Sequence, residues 1–132
     1  MNVRRTVAVV TVTAAAFSGA TLLAPAAEAS GGGGARVIKS GSCSGSADWK
    51  LKAKHDDGRL EVEFEVDSNR TGQSWAVRIT DNGHQIFSGR RTTHGRSGSF
   101  SLELRPANRA GTDAIRARAT HAGQTCAGTV RI

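Results

Sequence analysis

The chain has 132 residues, enough for one domain, and carries a formal net charge of +7 with 5% aromatic residues. After residue 30 no apolar run is long enough to span a bilayer, which excludes an embedded membrane protein once the leader is removed. The basic excess favours anionic surfaces as partners and equally suits plain solubility outside a cell.

The first segment reads as a leader. Arg4 and Arg5 precede an uncharged Ala/Val/Thr/Leu stretch, and Ala27-Glu28-Ala29 then offers small residues at the two positions a signal peptidase reads. Residues 1–29 are therefore expected to be a secretory signal peptide, and the mature protein to be secreted. Residues 30–35 begin SGGGG, a flexible linker, and residues 36–132 are the expected domain. Arg36 to Lys39 is a short predicted strand. Ser40 to Ala47, rich in Gly and Ser, is expected to be irregular and holds Cys43.

The clearest signal is the run around Asp57-Gly58. Apolar and charged residues alternate on both sides of that dipeptide, which predicts a hairpin with a two-residue turn. That turn sets Lys54, Lys52 and Lys50 against Glu61, Glu63 and Glu65. It also sets Ala53, Leu51 and Trp49 against Val62, Phe64 and Val66 on the other face. A slip of one residue would turn the apolar set into water, so the register is well specified.

A polar loop, Asp67 to Ser74, leads to the strand Trp75 to Thr80, with Trp75, Val77 and Ile79 inward. A return strand follows over Gln85 to Gly89. An Asn82-Gly83 turn of two residues sets Ile86 against Ile79, whereas a three-residue loop aligns Phe87 with Val77. Gly89 to Gly98 is the most basic segment and is expected to be a loop. Ser99 to Arg105 is a strand with Phe100, Leu102 and Leu104 inward. The last predicted hairpin turns at Ala122-Gly123 and sets Ile115, Ala117 and Ala119 against Val130, Gly128 and Cys126. Its inward residues are small, so Trp49 or Trp75 is expected to pack over Ala117, Ala119 and the disulfide.

Cys43 and Cys126 are the only cysteines, and an isolated pair outside the reducing cytosol is expected to be a disulfide. Two cysteines far apart do not make a zinc site, so no metal is expected. Short strands at regular spacing with turn signals between them, and no helical periodicity, predict an all-β antiparallel sandwich of seven to eight strands. One Trp near one Cys, with a second Cys on a late strand, is similar to an immunoglobulin-like sandwich, although Trp49 follows Cys43 more closely than in antibody domains.

From Trp75 onward the sequence shows W-x-V near an Asn-Gly turn, then SGSF, then AGTD before an Ala/Arg strand and a late Cys. This resembles small secreted proteins of actinobacterial type, from high-GC Gram-positive bacteria. The resemblance implies an exported compartment and a β-sandwich, and no activity.

Charge is uneven along the chain. Residues 66–132 hold ten Arg, no Lys and four acids, while residues 30–65 balance six bases against six acids. Arg90, Arg91, His94 and Arg96, in a Gly-rich segment, form the candidate anion site, because guanidinium groups and backbone N–H donors suit phosphate or carboxylate. A solvated loop is the plainer alternative. Arg116 and Arg118, at alternate strand positions, would extend a basic stripe. His55-Asp56-Asp57 fits a hairpin end better than a metal site, since side chains in a tight turn diverge. His84, His94 and His121 fall beside Gly in predicted turns, and no nucleophile motif accompanies them. No catalytic residue and no cofactor is assigned. The expected partner is an anionic cell-envelope polymer or an acidic protein. Nucleic acid is not expected, for want of exposed aromatic side chains. An extracellular protease inhibitor or a small hydrolase are the alternative functions.

Overall fold

A computed structural model describes residues 34–132. The expected signal peptide and the start of the linker lie outside the described residues. Eight strands follow one another: β1 (Arg36–Ser42), β2 (Asp48–Asp56), β3 (Arg59–Asp67), β4 (Ser74–Asp81), β5 (His84–Thr92), β6 (Ser99–Leu104), β7 (Ala114–His121) and β8 (Gln124–Arg131). They make two four-stranded antiparallel sheets, β1-β2-β3-β6 and β5-β4-β7-β8.

With β1 set aside, strands β2 to β8 occupy the A, B, C, C′, E, F and G positions of an immunoglobulin-like sandwich. One sheet is then A-B-E and the other C′-C-F-G. The added strand β1 lies outside A. Trp75 opens the C strand and is fully buried, where antibody domains also place a core tryptophan. The ring of His121 lies beside it, with centroids 5.3 Å apart.

The β2–β3 hairpin has the predicted register at every pair, from Trp49 opposite Val66 to Lys54 opposite Glu61. Asp57 and Gly58 have φ of 48° and 75°, the left-handed values that a two-residue turn matched to strand twist requires. On the outer face Lys52 Nζ lies 2.8 Å from Glu63, Lys54 3.3 Å from Glu61 and Lys50 3.6 Å from Glu65. The Lys52 bond holds the Glu63 carboxyl below its ordinary value and the Lys52 ammonium above its own. On the inner face Leu51, Val62 and Phe64 are fully buried. Each such side chain contributes roughly 1.5–3 kcal/mol through its removal from water. Ile79, Ile115 and Val130 face them from the second sheet, also fully buried, and Phe64 meets Phe100 edge to face at 6.4 Å.

Two expectations change, and a third gains its detail. The irregular stretch predicted from Ser40 begins only after Ser42, because Ser40, Gly41 and Ser42 pair with Lys50, Trp49 and Asp48 and extend β1. Gly41 is admissible there because the Trp49 indole lies against it; a Cβ would come within 3.0 Å of that ring. The β4–β5 hairpin follows neither predicted register. Asn82-Gly83 is a two-residue turn, but a bulge after Gln85 leaves Ile86 unpaired and sets Phe87 opposite Ile79. The bulge lets consecutive apolar residues, Ile86 and Phe87, both pack against the core, which strict alternation forbids. Finally, the Trp49 ring covers Gly128 on β8, where a Cβ would overlap its ring carbons. That glycine lies opposite Ala117, so the indole sits on the small-residue side of the β7–β8 hairpin.

The β7–β8 hairpin has the predicted pairs Ile115–Val130, Ala117–Gly128 and Ala119–Cys126. Its turn places Ala122 at φ 46°. A left-handed conformation costs an ordinary L-residue roughly 1–2 kcal/mol, and Asn tolerates it better. Ala122→Asn is therefore expected to stabilise the protein by about 1 kcal/mol. In thermal denaturation this should raise the midpoint by about 4–8 °C for a domain near this size.

Candidate functional site

Period-two alternation decides where each arginine of the second sheet points. On β4 the residues Trp75, Val77, Ile79 and Asp81 are buried, so Arg78 faces out. On β7 the residues Ile115, Ala117 and Ala119 are buried, so Arg116 and Arg118 face out. Arg131 on β8 follows buried Val130, and Arg90 on β5 is exposed opposite Ala76. Five arginines thus share the outer face of the β5-β4-β7-β8 sheet. The four strands contain one acid, Asp81, and it is buried on the other side.

The strand pairing fixes the layout. Arg78 lies directly opposite Arg118, and Thr80 opposite Arg116. Arg116 is opposite Thr129, and Ala114 opposite Arg131. None of the ion pairs among the described residues involves any of the five. Neutral groups orient two of them: Arg78 donates through Nε to Gln85 at 3.2 Å, and Arg90 through Nε to Ser74 Oγ at 2.9 Å. Threonines and alanines stand between the arginines, so shallow depressions open around the guanidinium groups. The opposite sheet differs: its Lys50, Lys52 and Lys54 are each paired with glutamate.

The predicted cluster of Arg90, Arg91, His94 and Arg96 does not form one site. Arg90 and Arg91 belong to β5, not to a loop, and alternation sends them to opposite faces. Arg90 shares the outer face with Arg116 and Arg118. Arg91 turns inward opposite Trp75 and sets its guanidinium 4.8 Å from the Phe87 ring centroid. His94 and Arg96 lie beyond the strand end, in a segment bridged to β6 through His94 and Ser99. That segment is tied down: Thr71 Oγ1 donates to Gly95 O at 2.7 Å, Ser68 Oγ to Gly98 O at 3.1 Å, and Gln73 N to Thr93 Oγ1 at 2.9 Å. Sequence reading missed Arg78 and Arg131. The signal was present, since each sits at the polar position of an alternating strand.

The histidines have separate surroundings. His55 Nδ1 lies 3.2 Å from Asn108 Nδ2, His84 begins β5, and His121 Nδ1 lies 2.8 Å from Ser74 O. Asp56 accepts from Arg105 at 2.7 Å, while Asp57 occupies the hairpin turn. Among the described residues no group of three or more His, Cys, Asp or Glu side chains converges as a metal site would.

Cys43 and Cys126 are joined, as predicted. The bridge links the segment between β1 and β2 to β8, and so links the two sheets. Backbone bonds reinforce it: Ser44 N donates to Thr125 O and Thr125 N to Ser44 Oγ, both at 2.8 Å. Ala47 N donates to Gln124 Oε1 at 2.8 Å.

No family model, no curated protein and no solved structure matches the chain.

Proposed function

We propose that the protein is a secreted, non-enzymatic binding module that holds an anionic envelope polymer on the outer face of its β5-β4-β7-β8 sheet. One observation carries this reading: five arginines share that face with no acid among them. A surface serving only solubility would mix both signs, as the lysine–glutamate face does. The disulfide fits an oxidising, extracellular compartment. The hydrolase alternative draws no comparable support, because each histidine sits among different neighbours.

The test is retention on an immobilised polyanion. The protein should bind at low ionic strength and elute with salt, since contacts of this kind are screened. The triple variant Arg78→Gln, Arg116→Gln, Arg118→Gln should bind about 100-fold more weakly, taking about 1 kcal/mol for each basic residue near an anionic surface. All three side chains are exposed, and Arg78 repels Arg118 directly opposite, so the thermal midpoint should not fall below that of the parent. Retention by the triple variant equal to the parent's would overturn the reading.

A further inference from the structure

Resting on that reading, we propose that the ligand is a linear phosphodiester chain whose phosphates are joined by uncharged, non-aromatic units, lying corner to corner across the sheet along a diagonal of five arginines. The strand register sets the diagonal. Arg90 on edge strand β5 lies one outward row from Arg78 on β4. Arg78 is level with Arg118 on β7; Arg116 is one row further along β7; Arg131 on edge strand β8 is one row further again. Outward rows are spaced by two residues, about 6.7 Å, and strands by about 4.8 Å, so successive arginines stand roughly 5–8 Å apart over roughly 25 Å.

A track of that shape selects its occupant. A single phosphate or one acidic side chain would meet one or two of these groups and leave the rest repelling each other. The repulsion is built in, because Arg78 and Arg118 are directly opposite and like charges so placed destabilise a sheet. A local rule broken with no compensation inside the fold marks a functional surface. A chain carrying one charge every few backbone bonds meets all five in turn.

The residue type narrows the chemistry. Lys50, Lys52 and Lys54 of the opposite sheet pair with the chain's own glutamates, whereas the strands of this face carry arginine and no lysine. Arginine's planar fork binds two oxygens of one oxyanion at once, which lysine cannot do. Arg78 and Arg90 are held through Nε, leaving their terminal nitrogens for the ligand. Hydroxyls of Thr80 and Thr129 flank Arg116 and add donors suited to a tetrahedral oxyanion, which accepts from more directions than a planar carboxylate. No aromatic side chain faces outward on this sheet, so it has no platform on which nucleic-acid bases could stack.

The experiment is titration calorimetry of the full mature protein with glycerol phosphate oligomers, short and long, at several salt concentrations. Poly-glutamate, dextran sulfate and oligothymidylate of matched charge serve as competitors. Affinity should rise with oligomer length until the chain spans the diagonal. The slope of log K against log salt should approach about −3.5 for five contacts at about −0.7 each. Arg90→Gln and Arg131→Gln, at the two ends, should each weaken the long oligomer about fivefold and leave the shortest unchanged. If both end variants bind the long oligomer like the parent while Arg78→Gln and Arg118→Gln do not, the diagonal is wrong and the polyanion reading survives. If poly-glutamate, dextran sulfate or oligothymidylate binds as tightly as the phosphate oligomer, the ligand class is wrong. If no polyanion binds at all, both readings fall together.

Discussion

Replacing Cys43 and Cys126 by alanine is expected to lower stability by about 4.5 kcal/mol. The two residues are 83 apart, and the chain-entropy account of a cross-link closing a loop of that length gives this magnitude. For a domain whose whole stability is of the order of 5–15 kcal/mol, such a loss is a large share. The thermal midpoint should fall by about 20 °C or more. The bridge acts chiefly on the unfolded chain, so the native register should persist in the variant at low temperature. The bonds between Ser44 and Thr125 and between Ala47 and Gln124 hold the same segments together without it. Urea unfolding separates the possible causes. A freed unfolded chain exposes more surface, so the denaturant slope should rise as the midpoint falls. A loss under about 1 kcal/mol with an unchanged slope would mean that these backbone bonds already do what the bridge does. The double variant is preferable to reductant, because Cys126 is fully buried and Cys43 nearly so.

The same bridge shows how far local sequence reaches. The β2–β3 and β7–β8 registers were readable because each has a two-residue turn ending in glycine, between runs that alternate without interruption. The β4–β5 register was not, although its Asn-Gly turn was correctly placed. There, two consecutive apolar residues compete for the core, and a bulge resolves the competition in favour of both. Local pattern contains no term for that choice. The arginine face was half legible for a related reason. Alternation alone gives the side of the sheet on which Arg78, Arg116, Arg118 and Arg131 stand. It cannot show that β4 lies between β5 and β7, and only that order brings Arg90 and Arg131 into one line with the others. The Arg90–Arg91 pair misled because adjacency in sequence is separation across a sheet.

Asp81→Asn is expected to raise stability at neutral pH, because it removes a buried group that must either keep its proton or ionise away from water. Asp81 and Asp113 are both fully buried with their carboxyls beside each other, and no other group among the described residues hydrogen-bonds to those carboxyls. The backbone holds them there. Asp113 exchanges two hydrogen bonds with Ile132, and Asn82 clamps the segment by donating to Thr112 O at 3.1 Å and accepting from Ala114 N at 2.9 Å. The nearest cation, Arg109, stays half exposed with its Nε 4.0 Å from Asp81. Burial, and then the neighbouring Asp113, raise the Asp81 carboxyl above its ordinary value of 3.8, against weaker opposing effects of Arg109 and His84. The folded protein therefore keeps a proton that the unfolded chain gives up near that value. Over this window the native state binds more protons, so stability should fall as pH rises through the raised value and level off above it. An asparagine cannot ionise, and the variant's curve should lack that fall. Urea midpoints for parent and variant, measured from pH 4 upward, decide the matter; parallel curves would show that Asp81 ionises freely. Asp81 is the only acid in the four strands that carry the arginines, and it lies on the inner side of the strand that bears Arg78. Because its side chain points into the core, it does not stand among those five guanidinium groups on the outer face.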